Sequence, residues 1–225
     1  MNECSRRQIL FGATGALAFA LSPGLFTKAS ASPNTDHTLI AAKAAGDSTG
    51  LQDYDIALFP KDESFRQECV RLARTNMSDR AEGYLLADGE AFPHITLTLF
   101  KCEQERLDEI WHRVSGFLPE PLAIKFTHVY FDPDMSHPGI MWTGFAVQRQ
   151  HALSELQSKV FADLQALGIS GRTKPDTYFP HLTWARCRDT APLTFKELPS
   201  AALYRKSYPF ELSIGLSNEN GVYRR

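Results

Sequence analysis

The chain contains 225 residues, 43% of them hydrophobic, and carries a formal net charge of −2 at pH 7. This balance gives no overall excess of basic charge, so duplex DNA is not expected as a partner, and a nucleic-acid ligand should be small or an RNA end. The four cysteines are widely spaced and form no Cys-x-x-Cys pair, which argues against a disulfide framework and a structural zinc site.

Residues 1–31 have the pattern of a secretory signal peptide. Arg6 and Arg7 precede a mildly apolar stretch that ends near the small residues Ala29, Ser30 and Ala31. Paired arginines before such a stretch are typical of twin-arginine signals, which export folded proteins. The alternative is an uncleaved membrane anchor, which the glycines in the stretch and the cleavage site disfavour. We therefore expect an exported, periplasmic protein without stable membrane association after cleavage.

Residues 32–50 are rich in small and polar residues without an amphipathic period, so we predict a flexible linker there. Residues 51–225 are then sufficient for one domain with a sizeable core, and we expect that domain to be a monomer. Its three cysteines, Cys69, Cys102 and Cys187, are expected to be buried free thiols.

Strands and helices alternate along this domain. Asp62 is placed to cap the first helix, and Gly168 is placed to end the third. Hydrophobic periodicity predicts the following elements in chain order: strand 54–59, a helix through 65–73, strand 92–100, helix 107–118, strands 122–131 and 140–147, helix 153–167, strand 179–187 and strand 210–216.

The pentapeptide Phe-Pro-His-apolar-Thr occurs twice, each time in a predicted strand. Because strand side chains alternate between faces, His94 and Thr96 should share one face, as should His181 and Thr183. The same alternation should direct the apolar residues of the first copy into the core: Ile95, Leu97 and Leu99.

Each copy follows a predicted strand and helix, which indicates a duplicated α+β unit. Such a duplication would bring His94 and His181 to opposite walls of one cleft. Since an imidazole titrates near pH 6.5, one histidine can take a proton while the other gives one. Two other classes remain open: a non-catalytic module that binds a phosphorylated ligand, and a histidine-based metalloprotein.

These motifs resemble those of the 2H phosphoesterase superfamily, which includes 2′,5′ RNA ligase-like proteins and 2′,3′-cyclic phosphodiesterases. Both copies match its His-x-Thr/Ser-x signature, and residues 54–60 and 180–186 are similar to its first strand and its second motif strand. The resemblance covers about residues 51–216. It implies a duplicated, two-lobed α+β fold in which two antiparallel sheets form a central cleft, with the helices outside.

The resemblance also implies an activity: metal-independent and cofactor-free hydrolysis of a 2′,3′-cyclic phosphate, on a small nucleotide or an RNA terminus. His181 would be the base and His94 the acid, with the assignment open to reversal, while Thr96 and Thr183 would bind the phosphate. Ligation by a 2′,5′ RNA ligase-like reaction would use the same groups in reverse.

Four further residues are candidates for substrate binding. Arg172 and Lys174 precede the second motif and could add positive charge to the cleft, although solvated loop charges are an equal alternative. In a regular strand Arg186 and His181 would point to opposite faces, so a phosphate contact by Arg186 would require a bulge or a turn at the end of the strand. Tyr178 could stack on a base.

Overall fold

The computed structural model describes residues 50–87, 90–189, 194–218 and 222–224. The predicted signal peptide, and the predicted linker except for its last residue, lie outside these ranges. Within them, no helix has both the length and the apolar character needed to cross a membrane.

The predicted elements are confirmed, and two short ones are added that the sequence did not predict, β2 and α4. Gly83 interrupts β2 with a φ of +74°, and α4 is too short for hydrophobic periodicity to reveal. The elements are β1 Gln52–Pro60, α1 Glu63–Met77, β2 Ala81–Leu85, β3 Ile95–Cys102, α2 Leu107–Val114, β4 Leu122–Pro133, β5 Ile140–Val147, α3 His151–Ala166, β6 His181–Arg188, α4 Ala201–Arg205 and β7 Ser207–Leu216.

All strand pairs are antiparallel, in the order β2-β6-β5-β4-β7-β1-β3. The predicted α+β class is confirmed, but the two expected sheets are continuous because both share β4. Residues 122–125 of β4 pair with β7, and residues 126–133 pair with β5. We call β3, β1 and β7 the His94 half-sheet, and β2, β6, β5 and residues 126–133 the His181 half-sheet.

The duplicated units exchange their last strands. The first unit is β1-α1-β3-α2-β4 and the second is β5-α3-β6-α4-β7, yet β4 pairs with β5 and β7 pairs with β1. The helices cross over as well, since α1 contacts β6 and α3 contacts β3. Each half-sheet is therefore built from both units.

One hydrophobic core lies between the helices and the sheet. Phe65 of α1 stacks on Tyr208 and Phe126, with ring centroids 4.0 and 5.3 Å apart. The three cysteines of the domain are free and buried, as predicted. The opposite face of the sheet, which we call the cleft face, carries the polar side chains Asp55, Thr96, Tyr130 and Thr183.

Candidate active site

Both motif strands contain a bulge directly after the motif threonine. Ile56 pairs with Thr98 and the next residue, Ala57, pairs with Thr96, so one residue of β3 is unmatched. In the His181 half-sheet, Thr143 pairs with Ala185 and Gly144 pairs with Thr183. The two unmatched residues, Leu97 and Trp184, are fully buried and packed in the core.

The bulge reverses the alternation of side chains beyond it. Thr98 therefore faces the helices, close to Gly171 and the ring of Phe161, and Leu99 lies on the cleft face and is only partly buried. The prediction that Leu99 faces the core is wrong for this reason. Ile95 is buried in the core, as predicted.

Gly144 makes the second bulge possible. A Cβ built on it would overlap the carbonyl oxygen of Leu182 and lie 2.8 Å from the Cα of Thr183, and both are backbone atoms. Only glycine allows the two strands to approach so closely. Gly144 of β5 also lies between Tyr130 of β4 and Thr183 of β6, because it pairs with both. Since it has no side chain, the space between those two residues stays open.

The two catalytic candidates are held by the same local hydrogen bond. Nδ1 of His94 lies 2.8 Å from the carbonyl oxygen of Phe92, and Nδ1 of His181 lies 2.7 Å from that of Phe179. A carbonyl oxygen only accepts, so Nδ1 must carry the hydrogen in both rings. Nε2 is then the nitrogen that can take or give a proton.

Burial makes the charged form of both imidazoles less favourable. Burial is the main reason that the pKa of His94 falls to about 4, the hydrogen bond to Phe92 opposes this fall, and His181 adds a smaller lowering. Burial also lowers the pKa of His181, while the bond to Phe179 and the charge of Asp132 act in the opposite direction. The two motif strands lie close together, because β3 contacts β6 although the two are far apart in the strand order.

The two motif threonines have different partners. The hydroxyl of Thr96 donates to Oδ2 of Asp55 at 2.7 Å, whereas the hydroxyls of Thr183 and Tyr130 lie 3.1 Å apart. The ring of Tyr130 also meets the edge of His181, with centroids 5.1 Å apart. Each half-sheet thus joins its threonine to a buried acidic or phenolic group.

Tyr223 covers the His94 half-sheet. Its ring stacks on His94 with centroids 4.9 Å apart, and its hydroxyl donates to Ser213 of β7 at 2.6 Å. A Cβ on Gly215 would lie 2.7 Å from the Tyr223 ring, so the glycine makes room for this contact. Tyr223, Tyr130 and Asp55 were not predicted as site residues from the sequence. Asp55 could have been recognised, because it is a charged residue within an otherwise apolar strand.

Of the further candidates, Arg186 lies on the same face of β6 as Thr183. The bulge at Trp184 returns Arg186 to the cleft face, where its Nε donates to Asp134 at 2.9 Å and its guanidinium lies 5.8 Å from the centre of the Trp142 ring. Its side chain is 11% exposed. The bulge that the sequence reading required for a phosphate contact is therefore present.

The remaining candidates are placed differently. Arg172 is exposed and paired with Asp53 at 2.7 Å, and Lys174 is exposed. Tyr178 is buried in the core, and its hydroxyl donates to the carbonyl oxygen of Thr96 at 3.1 Å. The proposed stacking of a base on Tyr178 does not fit this position, because its ring is already covered by protein.

Comparison with solved structures identifies the same architecture. One crystal structure of a phosphoesterase matches with a TM-score of 0.50 and 18% identity, covering 74% of this chain and 88% of that chain. The PDE domain of MHV ns2 matches with a TM-score of 0.38 and 15% identity, covering 72% and 99%. No family model and no curated protein sequence matches the chain. The chain therefore shares the fold of this phosphoesterase crystal structure, which agrees with the fold that the resemblance of its paired motifs implied.

Proposed function

We propose that the protein is a metal-independent phosphodiesterase that hydrolyses a 2′,3′-cyclic phosphate by two-histidine acid–base catalysis. The observation that supports this most directly is the matched pair of imidazoles, each with Nδ1 fixed by a backbone carbonyl and each beside a threonine on the same face. Cleavage of a phosphodiester requires two proton-transfer groups at one site, and the contact between β3 and β6 supports such a site. The shared fold is consistent with this chemistry.

In the proposed reaction, Nε2 of neutral His181 takes a proton from water as the water oxygen bonds to phosphorus. The bond from phosphorus to one ribose oxygen breaks, and that oxygen receives a proton from Nε2 of His94. The hydroxyl of Thr183 would donate to a phosphate oxygen as negative charge develops there, and so would that of Thr96 once it turns from Asp55, to which it donates in this structure. His181 then releases its proton to solvent and His94 takes one up from solvent, which restores both histidines to their starting forms.

Turnover of 2′,3′-cyclic AMP, followed by phosphorus NMR, tests this function directly. We expect a single 2′- or 3′-monophosphate product and the same rate with and without EDTA. Binding of the nucleotide without hydrolysis would favour the phosphate-binding module. A stoichiometric bound metal, with activity lost in EDTA, would favour the metalloprotein.

The same residues could also run the reaction in the direction of a 2′,5′ linkage. A panel of cyclic phosphates, RNA ends and 2′,5′-linked oligonucleotides would separate the two directions. The twin-arginine pattern at Arg6 and Arg7 supports work outside the cytoplasm. There the substrate would be a released nucleotide or RNA fragment.

Replacing Arg186 by Gln is expected to raise KM for 2′,3′-cyclic AMP about 10-fold with little change in kcat, since a charged hydrogen bond to phosphate contributes about 1.5–3 kcal/mol. Steady-state kinetics will measure both constants. Arg188→Gln is the matched control: Arg188 is two residues further along β6, is mostly exposed and pairs with Glu82. An unchanged KM in Arg186→Gln would remove this arginine from the binding site.

A further inference from the structure

Asp55 is an unusual acid because it is completely buried and has no arginine or lysine partner among the described contacts. Its side chain is 0% exposed, and Oδ1 has no hydrogen-bond partner in the part of the chain that the structure describes. Oδ2 accepts from Thr96 and lies 3.5 Å from Nε2 of His94. A carboxylate left alone in such a place would be strongly unfavourable.

The basic side chains near Asp55 in the sheet form ion pairs with another acid, Asp53. Asp53 lies two residues earlier on the same face of β1, and it pairs with Arg172 at 2.7 Å and with Lys101 at 3.6 Å. Among the residues that the structure describes, the one basic group beside Asp55 is the imidazole of His94. The acid and the histidine therefore depend on each other for charge balance.

The other titratable groups around this pair are neutral phenols and the second histidine. Tyr84 of β2 and Tyr178 both lie close enough for Asp55 to raise their pKa, after burial itself. Tyr223 stacks on the His94 ring, and His181 is close enough to lower the pKa of His94. None of these groups supplies a positive charge to Asp55 while His181 is neutral.

We propose that Asp55 and His94 hold one proton between them at neutral pH, and that Asp55 is the positioning residue that keeps His94 supplied with the proton it donates. This inference rests on the proposed function for its catalytic consequence, but the proton sharing itself does not depend on a substrate. This sharing explains how a buried imidazole, whose charged form is unfavourable, can still donate a proton.

The charges balance in both forms of the pair. With the proton on Oδ2, a neutral carboxyl lies beside a neutral imidazole, which agrees with the burial that raises the pKa of Asp55 and lowers that of His94. Moving the proton to Nε2 gives a carboxylate beside an imidazolium, again with no net charge. His94 then passes this proton to the departing ribose oxygen, and the pair regains it from solvent after His181 releases the proton taken from water.

Asp55→Asn tests the sharing because it keeps the shape and a hydrogen-bonding group for Thr96 but cannot hold or release the proton. The titration of His94 is followed by nitrogen NMR of the imidazole in the free protein, and that of Asp55 by its side-chain carboxyl carbon. We expect the Asp55 carboxyl to stay protonated above its usual range. We also expect the highest-pH step of His94 to move down by about one pH unit or more in Asp55→Asn.

Asp53→Asn is the matched control, since it removes an acid from the same strand and face but leaves the pair intact. The His94 titration should be unchanged in this variant. Two results would overturn the proposal: an Asp55 carboxyl that ionises in its ordinary range, or His94 titration curves that coincide in Asp55→Asn and the unsubstituted protein.

The pH profile of kcat gives the catalytic readout. The alkaline limb should move to lower pH in Asp55→Asn, so that kcat at pH 7.5 falls about 10-fold for each pH unit of the shift, while KM changes little. An equal loss at every pH would mean that Asp55 only supports the fold and would contradict the proposal. If no cyclic phosphate is turned over, the proposed function fails, but the NMR titration still decides the proton sharing.

Discussion

His181→Ala is expected to lower kcat for 2′,3′-cyclic AMP by about 100- to 10,000-fold, because the substitution removes one of the two groups that move protons in the transition state. The ring of His181 is partly exposed, stacks on Phe179 and makes an edge contact with Tyr130. Its loss should therefore leave folding intact. Single-turnover kinetics, with circular dichroism as the check on folding, will measure the effect.

His94→Ala should give a loss of similar size, and the double variant should lose little more than either single variant. Groups that act together in one step are strongly non-additive, since removing one already disables the step. His151→Ala is the control, because His151 lies at the exposed start of α3. Near-normal turnover in either single variant would exclude the two-histidine mechanism.

Gly144→Ala is expected to lower the free energy of unfolding by about 3 kcal/mol, which is at the upper end for overpacking in a core. The added Cβ meets backbone atoms of Leu182 and Thr183, and backbone cannot rotate aside as a side chain can. For a domain of this size the melting temperature should fall by about 6–12 °C. Chemical and thermal unfolding will measure both quantities.

The substitution should also reduce kcat, because β5 and β6 must separate where Tyr130 reaches Thr183. Gly116→Ala provides the control: its Cβ would have no neighbour within 4 Å, and the residue has no positive φ. That variant should be as stable as the unsubstituted protein or slightly more so. A Gly144→Ala protein of unchanged stability would show that the bulge in β6 can relax without this glycine.

Much of the site could be predicted because it is encoded locally. The His-x-Thr pattern specifies its own strand and the face that its polar side chains share, and the preceding Phe-Pro pair supplies the carbonyl that orients each imidazole. The bulges could not be read in the same way, since Leu97 and Trp184 are apolar residues that fit a regular strand equally well. For that reason the parity of Leu99 was predicted wrongly, and a cleft contact by Arg186 depended on a bulge the sequence does not reveal.

The remaining residues were missed, or in the case of Tyr178 given the wrong role, because their positions depend on distant partners. Asp55 acquires meaning only when β1 pairs with β3 and places it beside Thr96 and His94. Tyr178 has an aromatic ring that could stack on a base, but the fold buries this ring against β3 instead. Contacts between segments that are far apart in sequence produce no periodicity or motif spacing that could be recognised in one amino-acid sequence.

The exchange of β4 and β7 between the two units has an implication for how small a working version of this fold could be. A chain that held one unit alone would expose an unpaired edge on its first strand and would have no partner for its last one. Two copies could satisfy both needs by donating their last strands to each other, in the manner of a domain-swapped homodimer. In the present protein a single polypeptide has the strand pairing that such a dimer would have between its two subunits.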